Sequence, residues 1–162
     1  RAERSKIVTH LEAAAALFQH LGWNAKTLQD YPVLACAVAV PNGALDVFCH
    51  VHAELERILF YVRPQGLEYP AARLPAIAEF LTRANYGLPI GNFELDWDDL
   101  EINCKSSVQL PQSCLDVQLL QAYLLAAVET SNHYLPGLRA VAEGKQSPRE
   151  AISALETPKA QH

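Results

Sequence analysis

None of the 162 residues is methionine, so the natural start of the chain is expected upstream of Arg1, with room there for a short leader. Positive charge is scarce: 13 Lys and Arg stand against 18 Asp and Glu, for a net charge of −5. Nowhere do the basic residues form a block. A nucleic-acid interface needs a basic stripe to meet phosphates, and an anionic membrane surface attracts clustered Lys and Arg in the same way. Neither partner is expected. A bilayer span needs about 20 consecutive apolar residues. The longest apolar run, Val33–Val40, stops at Pro41-Asn42-Gly43 and reads as a strand. Nor does the N-terminus carry a basic-then-apolar leader pattern.

The chemistry-bearing motifs are missing too. The four cysteines, Cys36, Cys49, Cys104 and Cys114, include no C-x-x-C pair. A chain of this size has no need of a disulfide framework, which suggests a reducing cytoplasm. There is no G-x-S-x-G and no glycine-rich phosphate cradle. The seven glycines are each expected at a turn or a helix end, leaving little for cofactor binding. No enzyme activity, cofactor or metal is therefore expected.

What is present is a globular composition, half hydrophobic and one-fifth charged, with the apolar content needed for a core. At this length one core suffices, and residues 1–156 are expected to form a single domain, with 157–162 a loose tail. A first helix is expected from Ser5 to Leu21, with Ser5 as its N-cap and Val8, Leu11, Ala15, Phe18 and Leu21 facing inward. The period then falls to two. Trp23–Asp30 reads as a short strand, and Val33–Val40 and Leu45–His52 flank Asn42-Gly43, the strongest short hairpin signal. A two-residue loop there sets Val40 against Leu45, Val38 against Val47 and Cys36 against Cys49, all on one apolar face. The other face pairs Ala39 with Asp46, Ala37 with Phe48 and Ala35 with His50.

After a turn near Ala53-Glu54, Arg57–Arg63 alternates as a further strand. A helix over Ala72–Tyr86 carries Ile77, Leu81 and Ala84 inward and stops at Gly87. Asn92–Trp97 and Leu100–Ser106 form a second hairpin, with Phe93 opposite Cys104, Leu95 opposite Ile102 and Trp97 opposite Leu100. A long helix follows, with Ser113 and Asp116 as its capping signature and Val117, Leu120, Leu124, Val128, Leu135 and Leu138 as its stripe. Pro136 should kink or restart it. Ser147-Pro148-Arg149-Glu150 caps a short last helix bearing Ile152 and Leu155. The order α-β-β-β(-β)-α-β-β-α, built of antiparallel hairpins with helices laid against them, describes an α+β fold.

Residues 74–144 resemble the YbjN family. The likeness lies in Phe80–Ile102, where Asn85, Leu88, Pro89, Gly91, Phe93 and Asp96 fit the family's helix-to-hairpin signature, and in Asn132-His133-Tyr134-Leu135-Pro136. It implies a type III secretion chaperone-like fold without established catalytic residues, acting as a regulator or chaperone-like binding module. Where the family commonly has glycine at the hairpin tip stands Leu100, which implies a different turn type here.

Four features carry candidate chemistry. Cys36 and Cys49, if directly opposite, have Cα atoms about 4.5 Å apart, near enough for a redox pair; buried in an apolar face they are small hydrophobes. His50 and His52 share one strand face, but a tetrahedral metal site needs two further ligands that no nearby motif supplies. Glu94, Asp96, Asp98, Asp99 and Glu101 crowd the second hairpin, with Asp96 facing Glu101. A cation or basic partner would relieve that repulsion; a solvated rim that protects a sheet edge is the plainer reading. Last, Ala35 and Ala37 lie flat beside Phe48, continued by Leu59 and Tyr61. This strip either lies under one of the chain's own helices or meets a partner. The expected function is a cytoplasmic, non-catalytic protein-binding or regulatory module, a homodimer, that uses this surface. The alternative is a small-ligand or metal binder, or an enzyme, with a pocket between sheet and helices.

Overall fold

A computed structural model describes residues 8–156. The expectations for Ser5 and for residues 157–162 lie outside it. Helix α1 (His10–His20) opens on a capping box: the Thr9 hydroxyl accepts from the Glu12 amide while the Glu12 carboxylate accepts from the Thr9 amide. Its inward residues are His10, Ala13, Ala14, Leu17 and Phe18, so Val8, Leu11 and Ala15, expected inside, lie exposed. The run Ala13–Ala16 scores as apolar on every face and hides the helix phase; His10 fixes it, its Nε2 lying 2.9 Å from the Leu110 carbonyl.

Six strands form one antiparallel sheet in the order β1-β2-β3-β4-β6-β5. They are β1 (Lys26–Thr27), β2 (Val33–Val40), β3 (Gly43–His52), β4 (Arg57–Pro64), β5 (Asn92–Leu95) and β6 (Ile102–Gln109). The strand expected over Trp23–Asp30 shrinks to two paired residues, because Trp23 is still tied to α1 through its amide bond to the Phe18 carbonyl and Asp30 turns left-handed.

The first hairpin pairs two residues away from the expected register. Val40 faces Gly43, Cys36 faces Val47, and Leu34 faces Cys49. Proline explains the shift. At the end of a hairpin ladder Pro41 would leave one hydrogen bond unmade, whereas at the first position of a turn its fixed φ is already correct. The turn is accordingly Pro41-Asn42, clamped onto the long helix α3 (Val117–Ala142). The Asn42 amide donates to Asn132 Oδ1 at 2.9 Å, its side chain donates to the Asn132 carbonyl at 2.9 Å, and Arg139 donates to the Asn42 carbonyl at 2.8 Å. Gly43 serves close approach: a Cβ there would sit 2.7 Å from the Arg139 guanidinium and 3.1 Å from Leu135 Cδ2.

The second hairpin keeps its expected register, Phe93 opposite Cys104 and Leu95 opposite Ile102. β5 ends at Leu95, however, and Trp97 is 57% exposed rather than paired inward. Leu100 takes φ +64, the left-handed conformation that glycine adopts freely, so here leucine itself supplies that geometry.

Helices α1, α2 (Leu74–Asn85), α3 and α4 (Pro148–Leu155) pack on one side of the sheet and against each other. The core lies between, with Leu45, Val47, Ile58, Phe60, Val62, Ile77, Phe80, Leu120, Leu124 and Leu138 fully buried. Asp116 alone caps α3, accepting from the Gln118 and Leu119 amides; Ser113 lies in the preceding 3-10 turn. The helix runs unbroken through Pro136, which projects outward while its neighbours Leu135 and Gly137 are buried. No helix among the described residues is long and apolar enough to cross a membrane.

Several residues behind the family likeness hold this frame together. The Asn85 side chain accepts from the Phe93 amide at 2.6 Å and donates to its carbonyl at 3.0 Å, fastening the end of α2 to β5. Tyr134 packs edge-on against Phe80 and Phe93, and its hydroxyl donates to Glu156 at 2.8 Å. Gly91 passes where a Cβ would lie 2.6 Å from the Lys105 carbonyl.

Candidate functional site

Strand alternation decides what the sheet shows to its two sides. Leu45, Val47, Cys49 and Val51 of β3 and Ile58, Phe60 and Val62 of β4 point into the core, so the residues between them must point away. On that second side Ala35 faces Phe48, Phe48 faces Tyr61, and Tyr61 faces Lys105. Leu59 stands in the next row opposite His50, and Ala37 in the row on the other side opposite Asp46. The five residues read from the sequence as a possible partner surface thus share one face, and none of the described helices packs on it. Phe48, Leu59, Tyr61 and Ala35 are half-buried and Ala37 is exposed.

This face is not flat. A cavity of about 480 Å³ opens over it, lined by Leu28, Tyr31, Val33, Phe48, His50, Tyr61, Arg63, Glu101 and Asn103. The connection from β1 to β2 raises one wall with Leu28 and Tyr31, the latter 68% exposed. Aromatic rings of β3 and β4 make the floor: His50 meets Tyr61 edge-on at 4.9 Å between centroids. The opposite wall is a closed polar triangle. Arg63 donates from Nε to Asn103 Oδ1 at 3.2 Å and pairs with Glu101, and the Asn103 amide donates to that same Glu101 carboxylate at 2.8 Å. The guanidinium also lies 5.2 Å from the Phe48 ring centroid, a cation–π contact. Burial, and then the neighbouring charge of His52, hold the His50 imidazole below the usual histidine range, so the cavity presents little net charge.

Sequence reasoning found Phe48 and Tyr61 but not Leu28, Tyr31, Val33, Arg63 or Asn103 as part of a site. Period-two alternation could have placed Arg63 and Asn103 on this face. Tyr31 gave no comparable signal, since it sits in a connection with no regular period.

The remaining candidates come apart. Cys36 and Cys49 are diagonal neighbours rather than opposite partners, and diagonal Cα atoms lie about 7–8 Å apart, too far to bridge without moving backbone. Burial, with Asp46 adding to it, pushes the Cys36 thiol up to about 11, and burial pushes Cys49 up to about 12. His50 lines the cavity, whereas His52 lies beyond it, exposed at the strand end. The acidic hairpin has internal uses for its carboxylates. Asp96 Oδ1 accepts from the Asp98 amide at 2.8 Å, Asp99 accepts from the Glu101 amide at 2.9 Å, and Glu94 pairs with Lys105 as Glu101 does with Arg63. The repulsion expected between Asp96 and Glu101 is relieved within the chain. Among the described residues no three His, Cys, Asp or Glu side chains come together as a metal-ligand set.

No family model matches the sequence, and no curated protein matches it. Solved structures do. The chain is similar to one in the crystal structure of the ExsC–ExsE complex, with a TM-score of 0.54 and 14% identity over 78% of this chain and 90% of that one. It also aligns with a chain in the structure of the HopA1–SchA chaperone–effector complex, at a TM-score of 0.44 and 16% identity over 76% of this chain and 88% of that one. The chain has a type III secretion chaperone-like α+β fold.

Proposed function

We propose that this chain is a non-catalytic, cytoplasmic protein-binding module of the chaperone-like kind that holds its partner on the helix-free face of the sheet, through Ala35, Ala37, Phe48, Leu59 and Tyr61. The observation that carries the reading is the uncovered aromatic floor: Phe48 and Tyr61 are paired across two central strands, and no described helix packs over them. Large apolar side chains left open together on a rigid sheet are the ordinary mark of a contact surface. The fold likeness supports it, since the ExsC–ExsE structure is that of a complex between proteins. Membership of the YbjN family, read from Phe80–Ile102, and a homodimeric state belong to the same proposal.

The test is affinity capture from native extract with wild-type protein and with Phe48→Asp, both checked by thermal melting. Phe48 points away from the core, so the variant should still fold, melting somewhat lower for its lost contacts with Arg63 and Tyr61, and lose the proteins that the wild type captures saturably. Identical captured sets, or no saturable capture by the wild type, would sink the reading. Light scattering at several concentrations tests the dimer, and a monomer throughout would remove it.

A further inference from the structure

We propose that the cavity over Phe48, His50 and Tyr61 is the seat of one uncharged aromatic side chain presented by the protein partner. This rests on the protein-binding reading above and adds what that partner must carry. Three observations lead there.

The first is shape. At about 480 Å³ the cavity falls within the size range of small-ligand sites, but it lies open along the sheet. A free small molecule is usually covered over most of its surface, which this hollow cannot do; a side chain on a peptide needs only its ring covered. The second is charge. Arg63 is paired with Glu101 and Asn103 and lies against the Phe48 ring, so the wall carries both signs of charge and no excess of either. A carboxylate entering the cavity would meet the Glu101 carboxylate, and an ammonium would meet the guanidinium. A neutral group meets neither repulsion. The third is the lining itself. Phe48, His50 and Tyr61 form the floor and Tyr31 the rim, so an entering ring meets faces and edges on several sides, where offset and edge-on contacts favour an aromatic over an aliphatic group of similar area. Tyr31 and Leu28, both exposed on that rim, would close against it.

Full-length ¹⁵N-labelled protein titrated with N-acetyl-tryptophanamide, N-acetyl-leucinamide and N-acetyl-tryptophan, followed by NMR, tests the proposal. The neutral aromatic amide should shift the amides of Tyr31, His50 and Tyr61 saturably. It should bind about 2- to 12-fold more tightly than the leucine amide, the factor that aromatic contacts add beyond area, and more tightly than the carboxylate form. Tyr61→Leu keeps apolar bulk and should bring the aromatic-to-aliphatic ratio close to one with an unchanged melting curve. If that variant does not fold, Tyr31→Ala, at an exposed rim position, should weaken the aromatic amide selectively. Equal binding of the leucine amide, shifts that map elsewhere, or a preference that survives both variants would overturn the seat. So would a tightly held free aromatic molecule co-purifying with the protein, which would assign the cavity to a small ligand. Should the aromatic preference be absent while Phe48→Asp still strips a captured partner, only the seat falls and the protein-binding face stands. Failure of both removes the face as well.

Discussion

Replacing Gly137 with alanine sets two effects of known size against each other. Gly137 sits inside α3, not at the turn or helix end expected of it, because the helix continues through Pro136; there a glycine costs about 1 kcal/mol of helix stability relative to alanine. By that measure alone Gly137→Ala should stabilise. The packing says otherwise. A Cβ at this position would lie 2.6 Å from Leu155 Cδ1 and 3.0 and 3.1 Å from Phe80 Cε2 and Cζ. Leu155 is half-buried on the short α4 and can turn aside. Phe80 is fully buried and held edge-on against Tyr134, so it has no free space to move into. Overpacking of a closed core costs about 1–3 kcal/mol. Set against the propensity gain, the net expectation is a loss of about 1 kcal/mol, or about 2–4 °C in Tm for a domain of this size. Urea and thermal unfolding measure it directly. The same substitution in a Leu155→Ala background should cost less by about 1 kcal/mol, because the nearest clash is gone. A rise of about 1 kcal/mol in the wild-type background would show that α2 and α4 do not close on α3 as described, and would refute the reasoning.

Thiol chemistry should separate the cysteines. Cys114 is exposed, while burial lifts Cys36 to about 11 and Cys49 and Cys104 to about 12. Near neutral pH Cys114 should react quickly with a disulfide reagent, the half-buried Cys36 more slowly, and Cys49 and Cys104 only on unfolding; fewer than two protected thiols would contradict the core. His50 gives a pH dependence. Its folded-state pKa lies below the usual range because of burial and then His52, so the unfolded chain takes the proton first as pH falls. The stability tied to His50 is therefore full above about pH 6.5 and declines as pH drops from there through the folded pKa. Urea unfolding at about pH 7.5 and about pH 5.5 should show a smaller loss in His50→Gln than in wild type; equal losses would assign the slope to other groups. Leu100→Gly should relieve the left-handed φ of +64 and raise stability by about 0.5–1 kcal/mol, with the Tyr69 hydroxyl still bonded to the carbonyl at 100. A destabilised Leu100→Gly would mean that the side chain packs for more than the backbone strain.

How much of this was legible in the sequence depended on which force decided each element. The stripe of α3 could be read because Leu120, Leu124, Val128, Leu135 and Leu138 recur on one face and all are buried. The register of the second hairpin could be read because Asp98-Asp99 marks its turn, and centring the pairing there sets Phe93 against Cys104 and Leu95 against Ile102. The phase of α1 could not, since four consecutive alanines suit any face and the deciding contact is a histidine meeting a carbonyl 100 positions away. Leu100 shows the same limit from the other side, because a backbone shape usually assigned to glycine is imposed on leucine by the hairpin around it. The wall of the cavity formed by Leu28 and Tyr31 belongs to an irregular connection, whose course follows from the sheet beneath it rather than from any local pattern.

The first hairpin shows why the face was recoverable although the pairing was not. Asn42-Gly43 invites a turn of its own, but Pro41 takes the turn position and α3 holds Asn42 there, which moves every pair by two residues. Side chains in a strand alternate with a period of two, so a slip of two changes each residue's partner and leaves its side of the sheet unaltered. Cys36 and Cys49 therefore lost their contact while both stayed toward the helices, and with the contact went the redox pair. Ala35, Ala37 and Phe48 stayed on the open side, and the slip brought Ala35 directly against Phe48, which itself faces Tyr61. A claim that needed two named atoms to meet failed on the register. The surface claim needed only parity, and a slip of one residue, which would have buried Phe48 and exposed Val47, is the error the core could not have tolerated.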